Sequence, residues 1–186
     1  MAIFASGTGT NAQEIINRFK NHPLITVSLI VCNKKGAGVT GIGVAENIPV
    51  LLIEKEAFFN SDRYLVELKA KNIECIVLAG FLWKLPGSLV AAYPGQILNI
   101  HPALLPKHGG KGMWGNHVHQ AVLDAGDTES GITIHYVDEH YDNGAIIFQA
   151  RCPVLQGDTA EVLAKRVHSL EHDHFPRVIE ETLCDS

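Results

Sequence analysis

Long apolar runs are missing from this chain of 186 residues. The longest, such as Ile48–Ile53 and Ile76–Ala79, fall far short of the roughly 20 residues a spanning helix needs, which excludes a membrane segment of that kind. Paired cysteines are missing as well. Cys32, Cys75, Cys152 and Cys184 are scattered with no C-x-x-C, which excludes a zinc knuckle or disulfide frame and points to reduced thiols serving mostly as core filler. There is no cluster of five or more Lys and Arg, and the net charge is −5 with a pI near 6.0. A nucleic-acid backbone therefore finds no basic track to follow. The stretch Met1–Ala5 reaches a glycine-rich turn at Gly7 without room for a basic region and an apolar signal core, so a cytoplasmic location is expected. Charged residues make up only 19% of the chain against 46% hydrophobic ones, a balance that excludes disorder. A chain of this size can bury about 70% of its unfolded surface.

What is present is an alternation of short apolar runs with helical patterns, the signal for βαβ units. Strands are expected near Ala2–Ala5, Ile25–Cys32, Pro49–Ile53, Cys75–Leu78 and Gln96–Ile100. Ala12, Ile15, Ile16 and Phe19 mark a helix over Asn11–Lys20, and Tyr64, Leu65 and Leu68 mark another over Ser61–Lys71. The glycine-rich segment Gly36–Asn47 suggests a helix only near Gly43–Asn47, and Pro86 can open one running to Ala92. Two β-rich stretches, Gly131–Val137 and Ala145–Val154, flank a polar segment and are expected to pair antiparallel. Asp158 or Thr159 then caps a last helix that Pro176 should break or kink before Val178–Leu183. The expected class is α/β: a Rossmann-like, open, twisted, mostly parallel sheet with helices on both faces and an antiparallel element in the C-terminal half. One domain is expected, with a phosphate-binding half over residues 1–100 and a catalytic half over 101–186.

Ser6-Gly7-Thr8-Gly9-Thr10-Asn11 lies between the first strand and first helix, where free amides attract an anion and glycines let a phosphate approach. With Ala12 it matches the dinucleotide fingerprint G-x-G-x-x-G/A. The second strand, however, ends Cys32-Asn33-Lys34-Lys35 without the acid that holds a ribose, favouring a mononucleotide or simple phosphate. A plain tight turn with Thr10 or Asn11 as helix cap is the blander alternative. Further on, Asn99 and His101 end a buried strand on one face, where an amide and an imidazole can converge on a carbonyl. Asp142 supplies a third partner if its loop folds back onto His101. His168-Ser169-Leu170-Glu171-His172 matches the H-x-x-E-H pattern of one zinc-peptidase class, but without an evident third ligand it reads as helix surface. His117, His119, His172 and His174 likewise read as surface histidines.

Together, Ser6–Asn11, Ala79-Gly80-Phe81, the stretch L-N-I-H-P-A-L-L-P over Leu98–Pro106 and Asp142-Asn143-Gly144 closely resemble the phosphoribosylglycinamide formyltransferase family of the folate-dependent formyltransferase superfamily. The resemblance implies transfer of a formyl group from 10-formyltetrahydrofolate to the primary amine of N1-(5-phospho-β-D-ribosyl)glycinamide in purine biosynthesis. Small molecules are then the only partners, and the chain acts as a monomer or homodimer without a metal. A sugar-nucleotide N-formyltransferase and a formyltetrahydrofolate hydrolase of the same superfamily are the alternatives.

Carried over by position, the resemblance implies Asn99, His101 and Asp142 as the catalytic trio. Gly9, Thr10 and Asn11 would hold the substrate phosphate, with Gly80 beside them and Glu171 at the ribose. Leu82, Trp83, Lys84 and Leu85 would line the folate pocket together with Asn99, and Asp138, Glu139, His140, Tyr141 and Asp142 would close its other side. Trp83 stands where many members carry arginine, and the segment His108–Gly115 is longer than in many, a candidate lid. In the implied chemistry Asn99 and a protonated His101 stabilise the oxygen anion, and Asp142 favours the charged imidazole.

Overall fold

A computed structural model describes residues 1–184. The chain divides into two compact units, Met1–Leu98 and the part beginning at Asn99. The first unit contains β1 (Ala2–Ala5), α1 (Thr10–Phe19), β2 (Leu29–Cys32), α2 (Gly38–Ala45), β3 (Val50–Leu52), α3 (Lys55–Asn60), α4 (Arg63–Ala70), β4 (Ile76–Leu78) and α5 (Gly87–Ala92). Strand β5 (Ile97–His101) opens in the first unit and ends in the second, which continues with α6 (Asn116–Asp124), β6 (Glu129–Tyr136), β7 (Ile146–Pro153) and α7 (Ala160–Cys184). Among the described residues no helix is long and apolar enough to cross a membrane.

The first unit is a parallel sheet in the order β3-β2-β1-β4. All residues of β1, β2 and β4 are buried, as unbroken apolar runs covered on both faces require. Strand β2 begins four residues later than its apolar run. Its partner β1 starts at Ala2, which pairs with Leu29, and the residues before Leu29 instead exchange single bonds, Ser28 N donating to the Met1 carbonyl and the Met1 amine to that of Thr26.

Helix α1 buries Ala12, Ile15, Ile16 and Phe19, the face its spacing marks. Its N-cap is Gly9, in the left-handed region at φ 85°, with no side-chain cap bond; neither Thr10 nor Asn11 occupies that position. Glycine is needed there on two counts. A Cβ would sit 2.9 Å from the backbone Cα of Val39 and 2.8 Å from the end of Ile42, and left-handed backbone costs any other residue about 1 kcal/mol. Gly9→Ala should therefore lower the melting temperature by about 4 °C or more; scanning calorimetry of wild type and variant checks this. The longer extent of α2 has the same origin. Gly38 brings its first turn against the Thr8 carbonyl, and a Cβ there would lie 2.7 Å from that oxygen.

In the second unit β6 and β7 pair antiparallel, Ile132 opposite Ala150, with a register shift between Ile134 and His135. Helix α6, unmarked in the sequence, buries Val118, His119 and Val122. His119 is thus interior rather than surface, and reading it as polar hides the helical stripe. Helix α7 runs unbroken through Pro176. An interior proline costs about 3 kcal/mol. Burial of Phe175, Val178 and Ile179 on either side of it offsets that cost and carries the helix on. Thr159 rather than Asp158 marks its start: Thr159 Oγ1 accepts from Val162 N, whereas Asp158 is bonded to Arg166 and to Leu155 N.

Candidate active site

The loop after β1 and the segment after β4 are joined through Ser6. Its backbone N donates to the Gly80 carbonyl at 3.1 Å, and its buried Oγ accepts from Leu82 N at 3.0 Å. Ser6 is therefore a brace between the glycine loop and the Gly80–Leu85 segment. Thr10 and Asn11 occupy the first turn of α1, where its unpaired amides begin. Trp83 packs against Phe58, Phe59 and Phe81 with ring centroids 5.7, 5.7 and 6.3 Å away. An apolar aromatic wall thus stands where arginine is common.

The second unit gathers Asn99, His101, His135 and Asp142. Asn99 Nδ2, which can only donate, lies 3.0 Å from His135 Nε2, and His135 Nδ1 lies 2.7 Å from the Tyr136 carbonyl, which can only accept. The second Nδ2 hydrogen of Asn99 is left for another acceptor. Asp142 lies with Oδ1 3.7 Å from His135 Nε2 and Oδ2 3.6 Å from His101 Nδ1. The Gly110 amide fixes the carboxylate by donating to Oδ2 at 2.9 Å. Gly144 lets this loop close: a Cβ there would collide with the Tyr136 carbonyl.

His135 was not singled out in the sequence, although it lies among the expected β residues. It stands at the register shift of β6, and such irregularities re-aim side chains beside functional sites. Period-two alternation across Gly131–Val137 gives no hint of that. Asp138 turns its own loop, Oδ1 accepting from His140 N at 2.7 Å, and His140 and Tyr141 are exposed. Glu171 is 8% exposed on α7 and takes His168 Nδ1 on Oε2 at 2.6 Å.

His101 is 3% exposed. Burial pushes its pKa below the ordinary histidine value, and nearby Asp142 offsets this only in part. Its Nε2 lies 2.8 Å from the His108 carbonyl. A carbonyl only accepts, so Nε2 carries a proton, and Nδ1 faces the Asp142 carboxylate. Burial pushes the Asp142 carboxyl up, but His135, His101 and the Gly110 amide outweigh it and hold the group below the usual carboxylate range. Asp142 is thus ionised at neutral pH.

Thr133, fully buried, ties the turn after His101 to β6. Its Oγ1 donates to the Ala103 carbonyl at 2.7 Å and accepts from Leu105 N at 2.9 Å and Gln149 Nε2 at 2.9 Å. Thr133→Val keeps the shape but leaves buried backbone groups without partners. It should cost about 2–4 kcal/mol, read as a lower midpoint in urea unfolding at unchanged slope.

These features define a small α/β protein with an amide–imidazole–carboxylate cluster at a strand end. A family model described as formyl transferase matches residues 1–179, and the chain belongs to that family. It is 42% identical to a phosphoribosylglycinamide formyltransferase, chloroplastic, of Arabidopsis thaliana, over 96% of this chain and 63% of that protein. A phosphoribosylglycinamide formyltransferase of Bacillus subtilis (strain 168) is 36% identical over 98% of this chain and 93% of its own length. The chain thus spans under two thirds of the plant relative and nearly all of the bacterial one. Among solved structures, a phosphoribosylglycinamide formyltransferase from Bacillus halodurans superposes with a TM-score of 0.88 at 36% identity, covering 98% of this chain and 94% of that one. Another, from Anaplasma phagocytophilum, gives 0.89 at 30% identity over 99% and 86%.

Proposed function

We propose that the chain transfers a formyl group from 10-formyltetrahydrofolate to the primary amine of N1-(5-phospho-β-D-ribosyl)glycinamide, a step of purine biosynthesis. The observation that carries this reading is the cluster of Asn99, buried His101 and Asp142, with Asp142 Oδ2 3.6 Å from His101 Nδ1, in a chain of the formyl transferase family. The amine attacks the formyl carbon, and the carbonyl electron pair moves to oxygen, where the remaining Nδ2 hydrogen of Asn99 can meet it. His101 Nδ1 takes the proton that the new C–N bond releases from the amine. Asp142 stabilises the resulting imidazolium. As the bond to folate N10 breaks, the same proton passes to that nitrogen, so the imidazole ends as it began.

The substrate phosphate is assigned to Gly9, Thr10 and Asn11, where the left-handed glycine and the first-turn amides support an anion site. Gly80, tied to the same loop through Ser6, is assigned to the ribonucleotide, as is the buried Glu171. Leu82, Trp83, Lys84 and Leu85 are assigned to the folate, as are Asp138–Asp142. The flat aromatic wall around Trp83 suits a heterocyclic or benzoyl ring. The chain is proposed to act on small molecules as a monomer or homodimer. The three buried, unpaired cysteines Cys32, Cys75 and Cys152 accord with a reducing cytoplasmic setting.

An absorbance assay of deformylation with three acceptor conditions tests the reading. Turnover that requires glycinamide ribonucleotide supports it. Turnover with a nucleotide-linked amino sugar instead, or with no acceptor, replaces it by the N-formyltransferase or hydrolase alternative.

A further inference from the structure

Asn143, next to Asp142 in the loop between β6 and β7, is the only asparagine in the chain that is followed by glycine. Asparagine is thermolabile because the backbone nitrogen of the next residue can attack its side-chain carbonyl, and a following side chain normally obstructs that approach. Gly144 has no side chain to do so. Asn143 is exposed and lies outside the strand ladder, which closes at the 2.9 Å bond from Tyr136 N to the Ala145 carbonyl. Its side-chain amide donates to Asp138 Oδ2 at 3.2 Å, and that carboxylate is itself 40% exposed. Water therefore reaches both the reacting carbonyl and the group that holds it.

We propose that Asn143 is a site of spontaneous modification: Gly144 N closes on its side-chain carbonyl, ammonia leaves, and hydrolysis leaves a loop that no longer holds Asp142 in place. The steps balance with water as the only co-reactant. A bond forms from Gly144 N to Asn143 Cγ and the Cγ–Nδ2 bond breaks, the amide hydrogen of Gly144 leaving with the departing nitrogen as ammonia. Water then adds to one of the two carbonyls of the five-membered imide. Opening at the main-chain carbonyl routes the chain through the former side chain, giving isoaspartate, whereas opening at Cγ gives ordinary aspartate. Both products disturb the loop. Isoaspartate lengthens the main chain by one carbon, about 1.5 Å, between two held points. On one side Gly144 packs so closely on the Tyr136 carbonyl that a Cβ there would collide; on the other the Gly110 amide holds Asp142 Oδ2 at 2.9 Å. The added length displaces Asp142 from its places 3.6 Å from His101 Nδ1 and 3.7 Å from His135 Nε2. Aspartate keeps the length but replaces the donor to Asp138 with a second carboxylate, so like charges repel where a hydrogen bond stood.

The loss of activity rests on the formyl-transfer reading above, whereas the modification does not, so the test reads both on the full chain. After several days in mildly alkaline buffer, peptide mass mapping should show the mass gain of an amide-to-acid conversion at Asn143 ahead of every other asparagine. In the same samples kcat should fall in step with the converted fraction while both KM values stay constant, because the molecules still turning over are unmodified. The converted fraction, separated by its extra negative charge, should turn over about a hundredfold more slowly, the cost of misplacing a reacting group by about 1 Å. Asn143→Ala has no side-chain carbonyl and Asn143→Gln must close a six-membered ring, so each should keep its own starting kcat through the incubation. Conversion first at another asparagine, or full conversion at Asn143 with no loss of kcat, overturns the proposal. If fresh protein is inactive with every acceptor, the formyl-transfer reading fails, and the ring NMR signals of His101 and His135 decide this one: a shift on conversion upholds it and unchanged signals overturn it.

Discussion

His101→Ala should lower turnover by about a thousandfold or more, with ribonucleotide affinity changed no more than a few-fold. The magnitude follows from the role. A positioned proton acceptor contributes about 10²–10⁴-fold to such a step, and alanine also removes one of the two imidazoles beside the Asp142 carboxylate. Affinity is spared because the phosphate is assigned to the glycine loop after β1. Its shape depends on Gly9, Gly38 and Ser6 rather than on any contact of the imidazole. Single-turnover rates at saturating folate, set beside ribonucleotide titrations, measure both quantities. A parallel loss of affinity would move His101 from the chemistry to the binding of substrate.

Asp142→Asn is expected to cost about a hundredfold in kcat, through charge rather than shape. The amide still accepts from Gly110 N, so the loop stays in place, but the imidazolium formed during transfer loses its counter-charge. The pH dependence carries the clearer signature. Burial lowers the His101 pKa beneath 6.5, and Asp142 is the largest opposing influence. Because neutral His101 is the active form, the wild-type rate should fall as the pH drops through that depressed value. Removing the carboxylate lowers the imidazole pKa further and moves this acid limb to still lower pH. The direction is opposite to that expected if His101 worked as a preformed cation. A profile unchanged in both height and position would take Asp142 out of the mechanism.

Much of this architecture is legible in the residues themselves. The apolar runs of β1 and β4, the stripe of Ala12, Ile15, Ile16 and Phe19, and the antiparallel pairing of β6 with β7 follow from period and composition. The parts that escape are those decided by tertiary context. Pro176 sits inside α7 because the burial around it outweighs its local penalty. Helix α3 is only six residues long with one buried side chain, Phe58, too little for a periodic signal. His119 disguises α6, since a buried histidine looks polar in any count of apolar positions.

The site divides in the same way. Asn99 and His101 are readable from strand alternation, and Asp142 from the polar segment beyond β6. His135 is not, because the register shift beside it breaks the alternation that would have revealed which way it points. Nor is the direction in which the His101 pKa moves. A neighbouring carboxylate suggests an upward shift, but burial outweighs it.

The central claim is that a formyl group passes to the amine of the ribonucleotide. Its most direct test is to mix enzyme, folate donor carrying a carbon-13 formyl group, and glycinamide ribonucleotide, and to follow the labelled carbon by NMR. The account predicts that the label leaves the folate and appears as a formamide on the ribonucleotide, only when enzyme and acceptor are both present. Label recovered as free formate, or still on the folate after many expected turnovers, would contradict it.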